Sequence, residues 1–377
     1  MDPRFRSGIR VLITFSIAIG GLALQAAAEP GNTFVDRRGA KVTEPSSYLD
    51  LLRTLPGELP QAGGQGTQLE LALDGSLQDR AEKLLEGALS DLQGRLQQPR
   101  DLRSTLIAMI PKTGEVLVLA AHGLDRYGQS LDVTLDRHEA GSVFKPIVFA
   151  AALHTGRYTP QTNLRNAPEV LDGQDLGDLG HSAPVTFRDA MVNSMNHATI
   201  RIAMDIGLER VIAMARALGI DSPLAKQAGL SLGVDRLTLL ELVTAYATIA
   251  NQGASVRPRF LLGPPAALRK AEEPQAGSSR ALSAAEARVM TELLGAALQI
   301  FPGLKDFEPR AKLAGKRGAT GGNLDGWMIG YSADLAVGVW IGAGAEEGAE
   351  DLKASLPATA VSVWSAFVKE TLSAVPK

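Results

Sequence analysis

Gly141-Ser142-Val143-Phe144-Lys145-Pro146, running into Ile147-Val148-Phe149-Ala150-Ala151-Ala152-Leu153, is the stretch on which the fold turns. Pro146 is tolerated in a first helical turn, where its missing N–H costs little, and Gly156 can close the far end, so a helix beginning at Ser142 is predicted. Residues three apart share a helix face, which sets the Lys145 amine beside the Ser142 hydroxyl. Serine is a poor nucleophile near neutral pH without a proton acceptor at its side. The positive end of a helix also favours a developing negative charge there. Ser-x-x-Lys is nonetheless a common pattern, and an ordinary helix start accounts for it equally well. The flanking sequence has to decide.

Upstream, Thr67 to Leu73 alternates as a strand does, and Leu77 to Leu96 carries apolar residues at helical spacing. Thr105 to Ile110 and Val116 to Ala120 surround Pro111-Lys112-Thr113-Gly114-Glu115, a hairpin signature in which Lys112-Thr113-Gly114 is turn chemistry. Downstream, Thr159 to Pro184 is a long segment poor in apolar residues, of the kind that is often functional. A helix starts at Val185 to Asn193, is interrupted by Ser194-Met195-Asn196, and resumes from His197 to Ile206. Leu208 to Leu218 is helical, closed by Gly219. Thr238-Leu239-Leu240-Glu241 and Ser283-Ala284-Ala285-Glu286 are capping boxes, heading helices that end near Gly253 and Gln299. Asp325 to Tyr331 and Leu335 to Ile341 form a second hairpin, and Ala358 to Ala374 is a terminal helix with Val361, Trp364, Phe367 and Leu372 inward. Strands, a helical block, then strands and a helix make an α+β fold in which the two strand sets pair into one sheet across the helices.

With 377 residues, 45% of them hydrophobic, the chain can bury a sizeable core. Its net charge of −3 and the lack of a dense basic block speak against a nucleic-acid partner. The absence of cysteine excludes disulfide and thiolate chemistry, and five histidines without ligand spacing imply no metal. No Gly-x-Gly-x-x-Gly follows a strand, and no cofactor is implied. At the N-terminus a basic flank precedes an apolar run from Val11 to Leu24 and the small-residue stretch Ala26-Ala27-Ala28. This is a secretory signal cleaved after Ala28 or a retained single anchor, the only membrane attachment expected. Either way the chain is expected in the periplasm or another extracytoplasmic space. Residues 1–28 are thus a signal or anchor, 29–66 a Pro-, Gly- and Ser-containing linker with a short helix near Tyr48 to Leu55, and 67–377 the main domain.

A serine nucleophile with a lysine base needs a group to return the proton, donors for the oxyanion, and a holder for substrate charge. Ser194 and Asn196 offer a hydroxyl relay and an amide for a peptide-like substrate, although a helix junction with local Ser and Asn bonds reads the same. Lys316-Arg317-Gly318-Ala319-Thr320, ahead of the second hairpin, offers a strand edge, positive potential and close backbone approach at Gly318.

These three stretches, in this order, resemble the transpeptidase domain of the penicillin-binding proteins, in particular that of the bifunctional class A enzymes. The similarity rests on Gly141 to Pro146, on Ser194-Met195-Asn196 after Val185-Thr186-Phe187-Arg188-Asp189-Ala190, and on Leu242 to Gly253. Ala314 to Gly318 running into Gly326-Trp327-Met328-Ile329-Gly330-Tyr331 and Val337 to Gly342 complete it. The resemblance implies the fold shared by penicillin-binding proteins and serine β-lactamases, an antiparallel sheet flanked by helices with an all-helical subdomain. It implies catalytic roles for Ser142 (nucleophile), Lys145 (base), Ser194 (proton shuttle) and Lys316 (electrostatic partner of Ser194). Substrate contacts fall to Asn196, Arg317, Gly318, Ala319 and Thr320, and the Ser142 and Ala319 N–H groups form the oxyanion hole. The reaction implied is D,D-transpeptidation of peptidoglycan stem peptides without a cofactor, with β-lactams acylating the same serine. D,D-Carboxypeptidase or endopeptidase action on the same site is an alternative. Arg317 and Ala319 stand where the family has hydroxyl residues that help bind the substrate carboxylate. That departure makes a non-catalytic relative binding peptidoglycan or a partner the other alternative. Residues 29–66 are too few for the glycosyltransferase domain of class A enzymes, so a separate glycan polymerase is the expected partner.

Overall fold

The computed structural model describes residues 33–42, 68–95, 101–123, 136–164, 170–171, 174–175, 185–262, 279–300, 312–320, 324–343 and 355–374. The predicted signal or anchor and the short helix near Tyr48 lie outside these residues. Helices α1 to α8 span Gly75–Arg95, Lys145–His154, Phe187–Val192, Asn196–Ile206, Leu208–Ala217, Leu239–Ala250, Ala284–Leu298 and Ser355–Ala374. Strands β1 to β5 span Thr33–Val35, Lys41–Val42, Gln68–Glu70, Leu102–Met109 and Val116–His122. Short strands β6 to β11 follow at His138–Glu139, Asn163–Leu164, Val170–Leu171, Gln174–Asp175, Val185–Thr186 and Arg236–Leu237. Strands β12 to β14 are Ala314–Ala319, Asp325–Tyr331 and Ala336–Ala343.

The main sheet has five antiparallel strands in the order β12-β13-β14-β4-β5. The two hairpins therefore join across the helical block as expected, through the β14–β4 pairing that sets Val337 opposite Ala108. Side chains alternate between the sheet's two faces. On one face Leu106, Ala108, Met328, Val339 and Ile341 meet α1 and α8, whose Trp364 and Phe367 are fully buried. On the other, Ile107, Trp327, Ile329 and Trp340 share a core with α2 and α6. Helix α2 is buried from Lys145 to Leu153, which is why its sequence is apolar all round. Both predicted capping boxes are present, with Thr238 and Ser283 accepting from the N–H groups of Glu241 and Glu286. Thr186 and Asp189 form a third that the sequence pattern did not single out. Among the described residues no helix is long and apolar enough to cross a membrane.

The chain departs from expectation in two places. Within the stretch read as a linker, β1 pairs with β2 and, in parallel, with β3. Asp36 fixes this small sheet to the start of α1, accepting from the N–H groups of Arg38, Ala40 and Gly75. Strands this short leave no periodicity to detect. The second departure is at the start of the helix after Gly141, taken up below.

The ends of the main sheet differ. At β5 the buried Gln78 of α1 acts as a strand of one residue: its amide nitrogen donates to the Leu119 carbonyl and its oxygen accepts from the Leu119 N–H, each at 2.9 Å. The Asp74 N–H donates to Leu117 O, and the Val116 N–H to Arg259 O. At the opposite end β12 pairs with β13 alone.

Candidate active site

The chain enters the site through a 3-10 turn, Gly141–Val143, and the α-helix begins only at Lys145, a correction to the helix predicted from Ser142. Tightening the first turn in this way keeps residues three apart eclipsed, so Ser142 and Lys145 still fall on one side. The turn is clamped from three directions. The Gly141 N–H donates to Gly233 O at 2.9 Å, the buried Tyr246 hydroxyl donates to Val143 O at 2.9 Å, and the Phe144 N–H closes the turn on Gly141 O at 3.0 Å. Gly141 has φ of +55°, and a Cβ there would stand 2.3 Å from the Ala319 carbonyl oxygen, so only glycine fits. A Cβ on Gly318 would come within 2.8 Å of Val143 Cγ1. These two glycines let β12 lie directly against the turn, which brings Ala319 to the side of Ser142.

The Lys145 side chain is 1% exposed. Its amine donates to the Ser194 carbonyl oxygen at 2.5 Å, to Ser194 Oγ at 3.2 Å and to Asn196 Oδ1 at 2.5 Å. This requires an unusual backbone. Helix α3 stops at Val192, and Ser194 takes a left-handed conformation, φ of +57°, before α4 starts at Asn196. A non-glycine residue held there carries strain of about 1 to 3 kcal/mol. The Met195 N–H bond to Ala190 O and the Thr199 bonds to Met195 O hold the junction in place. The result turns both the carbonyl and the hydroxyl of Ser194 toward one amine.

On the strand side the pleat sends Lys316, paired with Ile329, toward the helical face, and Arg317, paired with Met328, away from it. Lys316 is 6% exposed, whereas Arg317 is exposed. The Lys316 amine donates to the Arg317 carbonyl at 2.8 Å. Burial, then the charges of Lys145 and Arg317, hold it well below the usual lysine range. Low-dielectric surroundings and two neighbouring positive charges thus disfavour the protonated form of Lys316. Thr320 is buried and its hydroxyl donates to Asp325 Oδ2 at 3.3 Å. The structure thus collects Ser142, Lys145, Ser194, Asn196, Lys316, Gly318 and Ala319 around one turn, with Thr320 just past the end of β12 bonded to Asp325 and Arg317 on the strand's outer face. Lys112-Thr113-Gly114 is the β4–β5 turn, with Lys112 and Thr113 exposed and Gly114 buried.

A family model described as the penicillin-binding protein transpeptidase domain matches residues 104–357. The chain belongs to the penicillin-binding protein transpeptidase family. It is 28% identical over 265 residues to penicillin-binding protein 1A of Neisseria cinerea, covering 66% of this chain and 33% of that protein. It is 24% identical over 369 residues to penicillin-binding protein 2D of Bacillus subtilis (strain 168), covering 93% of this chain and 51% of that protein. The chain therefore spans from a third to about half the length of these relatives. Its fold is that of solved penicillin-binding proteins. The PonA1 protein of Mycobacterium tuberculosis in complex with penicillin V superposes with a TM-score of 0.67 at 21% identity, covering 82% of this chain and 86% of that one. Penicillin-binding protein 3 of the same organism, complexed with aztreonam, gives 0.69 at 20% identity, covering 92% and 96%.

Sequence reasoning did not find Tyr246, Gly233 or Asp325 as supports of the site. Tyr246 lies inside the quoted Leu242–Gly253 stretch and Asp325 at the head of a quoted strand, but the contacts they make span 103 residues in one case and cross from strand to loop in the other.

Proposed function

We propose that the chain is a serine D,D-transpeptidase that cross-links peptidoglycan stem peptides through an acyl-enzyme at Ser142, and that β-lactams acylate the same residue. The observation that carries this reading is the Lys145 amine, buried one turn from Ser142 and bonded to both Ser194 and Asn196. In its neutral form Lys145 takes the Ser142 proton as the hydroxyl attacks the penultimate D-Ala carbonyl. The Ser142 and Ala319 N–H groups receive the oxyanion, and the proton passes by way of Ser194 to the departing D-Ala amine. Asn196 and the Gly318–Ala319 backbone hold the donor peptide along the β12 edge, and Lys316 is the electrostatic partner of the Ser194 hydroxyl. An amine from a second stem then releases the acyl group; water in its place would give carboxypeptidase or endopeptidase action. Such a substrate lies outside the cytoplasm beside a glycan polymerase, and the functional unit includes the β1–β3 sheet with residues 67–377, with 1–28 as its signal or anchor.

A second reading has its own support. The Lys316 amine is engaged by the Arg317 carbonyl, and Arg317 replaces a hydroxyl residue of the family motif. A site lacking that hydroxyl would bind wall peptide or a partner without turnover. Intact mass after incubation with a fluorescent penicillin decides between the two. A single adduct in wild type that is missing in Ser142→Ala supports the acyl-enzyme. No adduct in wild type, with one appearing in Arg317→Thr, assigns the second reading. Release of free D-Ala from stem peptides, with and without an amine acceptor, then separates transfer from hydrolysis.

A further inference from the structure

At the end of β12 lies a buried polar cluster that none of these roles uses. Asp325 Oδ1 accepts from Trp340 Nε1 at 2.9 Å and lies 3.5 Å from His138 Nδ1, while Oδ2 accepts from the Thr320 hydroxyl at 3.3 Å. The His138 ring stacks on Trp340 with centroids 3.7 Å apart. Trp327 Nε1 donates to Glu139 O at 3.0 Å. His138 and Glu139 lead into Gly141 and Ser142, and Thr320 follows Ala319. One carboxylate therefore joins the residues flanking both N–H groups of the oxyanion pair.

The groups facing this carboxylate are Thr320 from the end of β12, Trp340 from β14, His138 and Glu139 from β6, and Arg236 from β11. Burial pushes the Asp325 carboxyl up to about 6, with Glu139 adding to the rise and the bonds from Trp340 and Thr320 and the charge of Arg236 opposing it. Burial, then Arg236 and Arg103, hold His138 down to about 3, so its ring is neutral near pH 7 and offers no counter-charge. At neutral pH the fold thus keeps an ionised carboxylate where ionisation works against stability. A buried charge retained beside a cleft at such a cost points to function.

We propose that Asp325 is a positioning residue for acylation of Ser142, holding Thr320, and through it the Ala319 N–H, in line with the turn that His138 and Glu139 carry. This rests on the acyl-enzyme reading above. Asp325 touches neither substrate nor nucleophile and acts through Thr320 and Trp340.

The test uses the full chain as wild type, Asp325→Asn and Thr320→Val. Asparagine keeps an acceptor for Trp340, removes the charge and replaces the charged acceptor of Thr320 with a weaker neutral amide donor. The rate of acylation by a fluorescent penicillin at neutral pH is expected to fall roughly tenfold or more in both variants, the scale of a misaligned oxyanion donor. In wild type the rate rises through pH of about 6 as Asp325 ionises, and Asp325→Asn lacks that limb. The thermal midpoint of Asp325→Asn at neutral pH is no lower than wild type, whereas a merely structural residue would lower it. Unchanged acylation with an unchanged pH limb in Asp325→Asn overturns the proposal. If wild type takes no penicillin, the acyl-enzyme reading fails by itself, and the positioning link is read by NMR instead. The Trp340 indole N–H, one of three indoles in the chain, and the Ala319 and Thr320 amides should then titrate together in wild type and not in Asp325→Asn. Ala319 and Thr320 amides that ignore the Trp340 titration overturn it in that case.

Discussion

The helical wall of the cleft and its strand wall are held by opposite means. Lys145, Ser194 and Asn196 are fixed by side-chain hydrogen bonds between α2 and the α3–α4 junction, on a backbone strained at Ser194. The strand wall is placed by the lack of side chains at Gly141 and Gly318 and by bonds made behind it, while its one large outward residue, Arg317, is exposed. The helical wall is built from side chains that bond one another, which leaves little slack in residue type. The strand wall needs only backbone in the right place, so its side chains can vary without moving the strand.

Five substitutions or titrations sharpen or break that contrast. Lys145→Ala should lower the acylation rate by about 10² to 10⁴, the usual contribution of a general base, and leaving the Ser194 and Asn196 acceptors unpaired should also lower the thermal midpoint. Gly141→Ala should cost about 4 kcal/mol in denaturant unfolding, from a Cβ driven into the Ala319 carbonyl and from the positive φ. If it is tolerated, the close contact of the two walls is not the constraint claimed. The third is pH dependence. The Asp325 carboxyl is raised to about 6 in the fold, above its unfolded value, so its contribution to stability is fully present below about pH 4 and lost as pH rises to about 6. The loss amounts to about 3 kcal/mol, and Asp325→Asn should remove that slope from a series of unfolding curves. Tyr246→Phe, which deletes the bond to Val143 O beneath the turn, should cost about 1 to 2 kcal/mol with a smaller loss of acylation. Arg317→Thr should shift stability by less than about 0.5 kcal/mol, as an exposed change on the strand's outer face does. A large effect there would show that the strand wall is as tightly specified as the helical one.

Much of this was readable in the sequence because the signals were local. The capping boxes at Thr238–Glu241 and Ser283–Glu286, the Pro/Gly turn at Lys112-Thr113-Gly114 and the apolar faces of α1 and α8 all state their structure within a few residues. The motif serines and lysines could be named because their types match the chemistry. What could not be read depends on distance or on an exception. The β1–β2 hairpin is too short to show a period. The 3-10 start at Gly141 is set by neighbours that enter from elsewhere in the chain, Tyr246, Gly233 and β12, and the left-handed Ser194 is met by the amine of Lys145, 49 residues away. Asp325 looks like an ordinary polar strand start until His138 and Trp340 are packed beside it.

The bonds from Gln78 to Leu119 have a further effect. By occupying the β5 end of the sheet, α1 leaves β12 as the strand along which another extended chain can add. A neighbouring copy's tail, or any unfolded segment seeking a strand to extend, is directed to the same rail that would seat the donor peptide. An extended peptide added there would register as a competitive inhibitor of the proposed reaction.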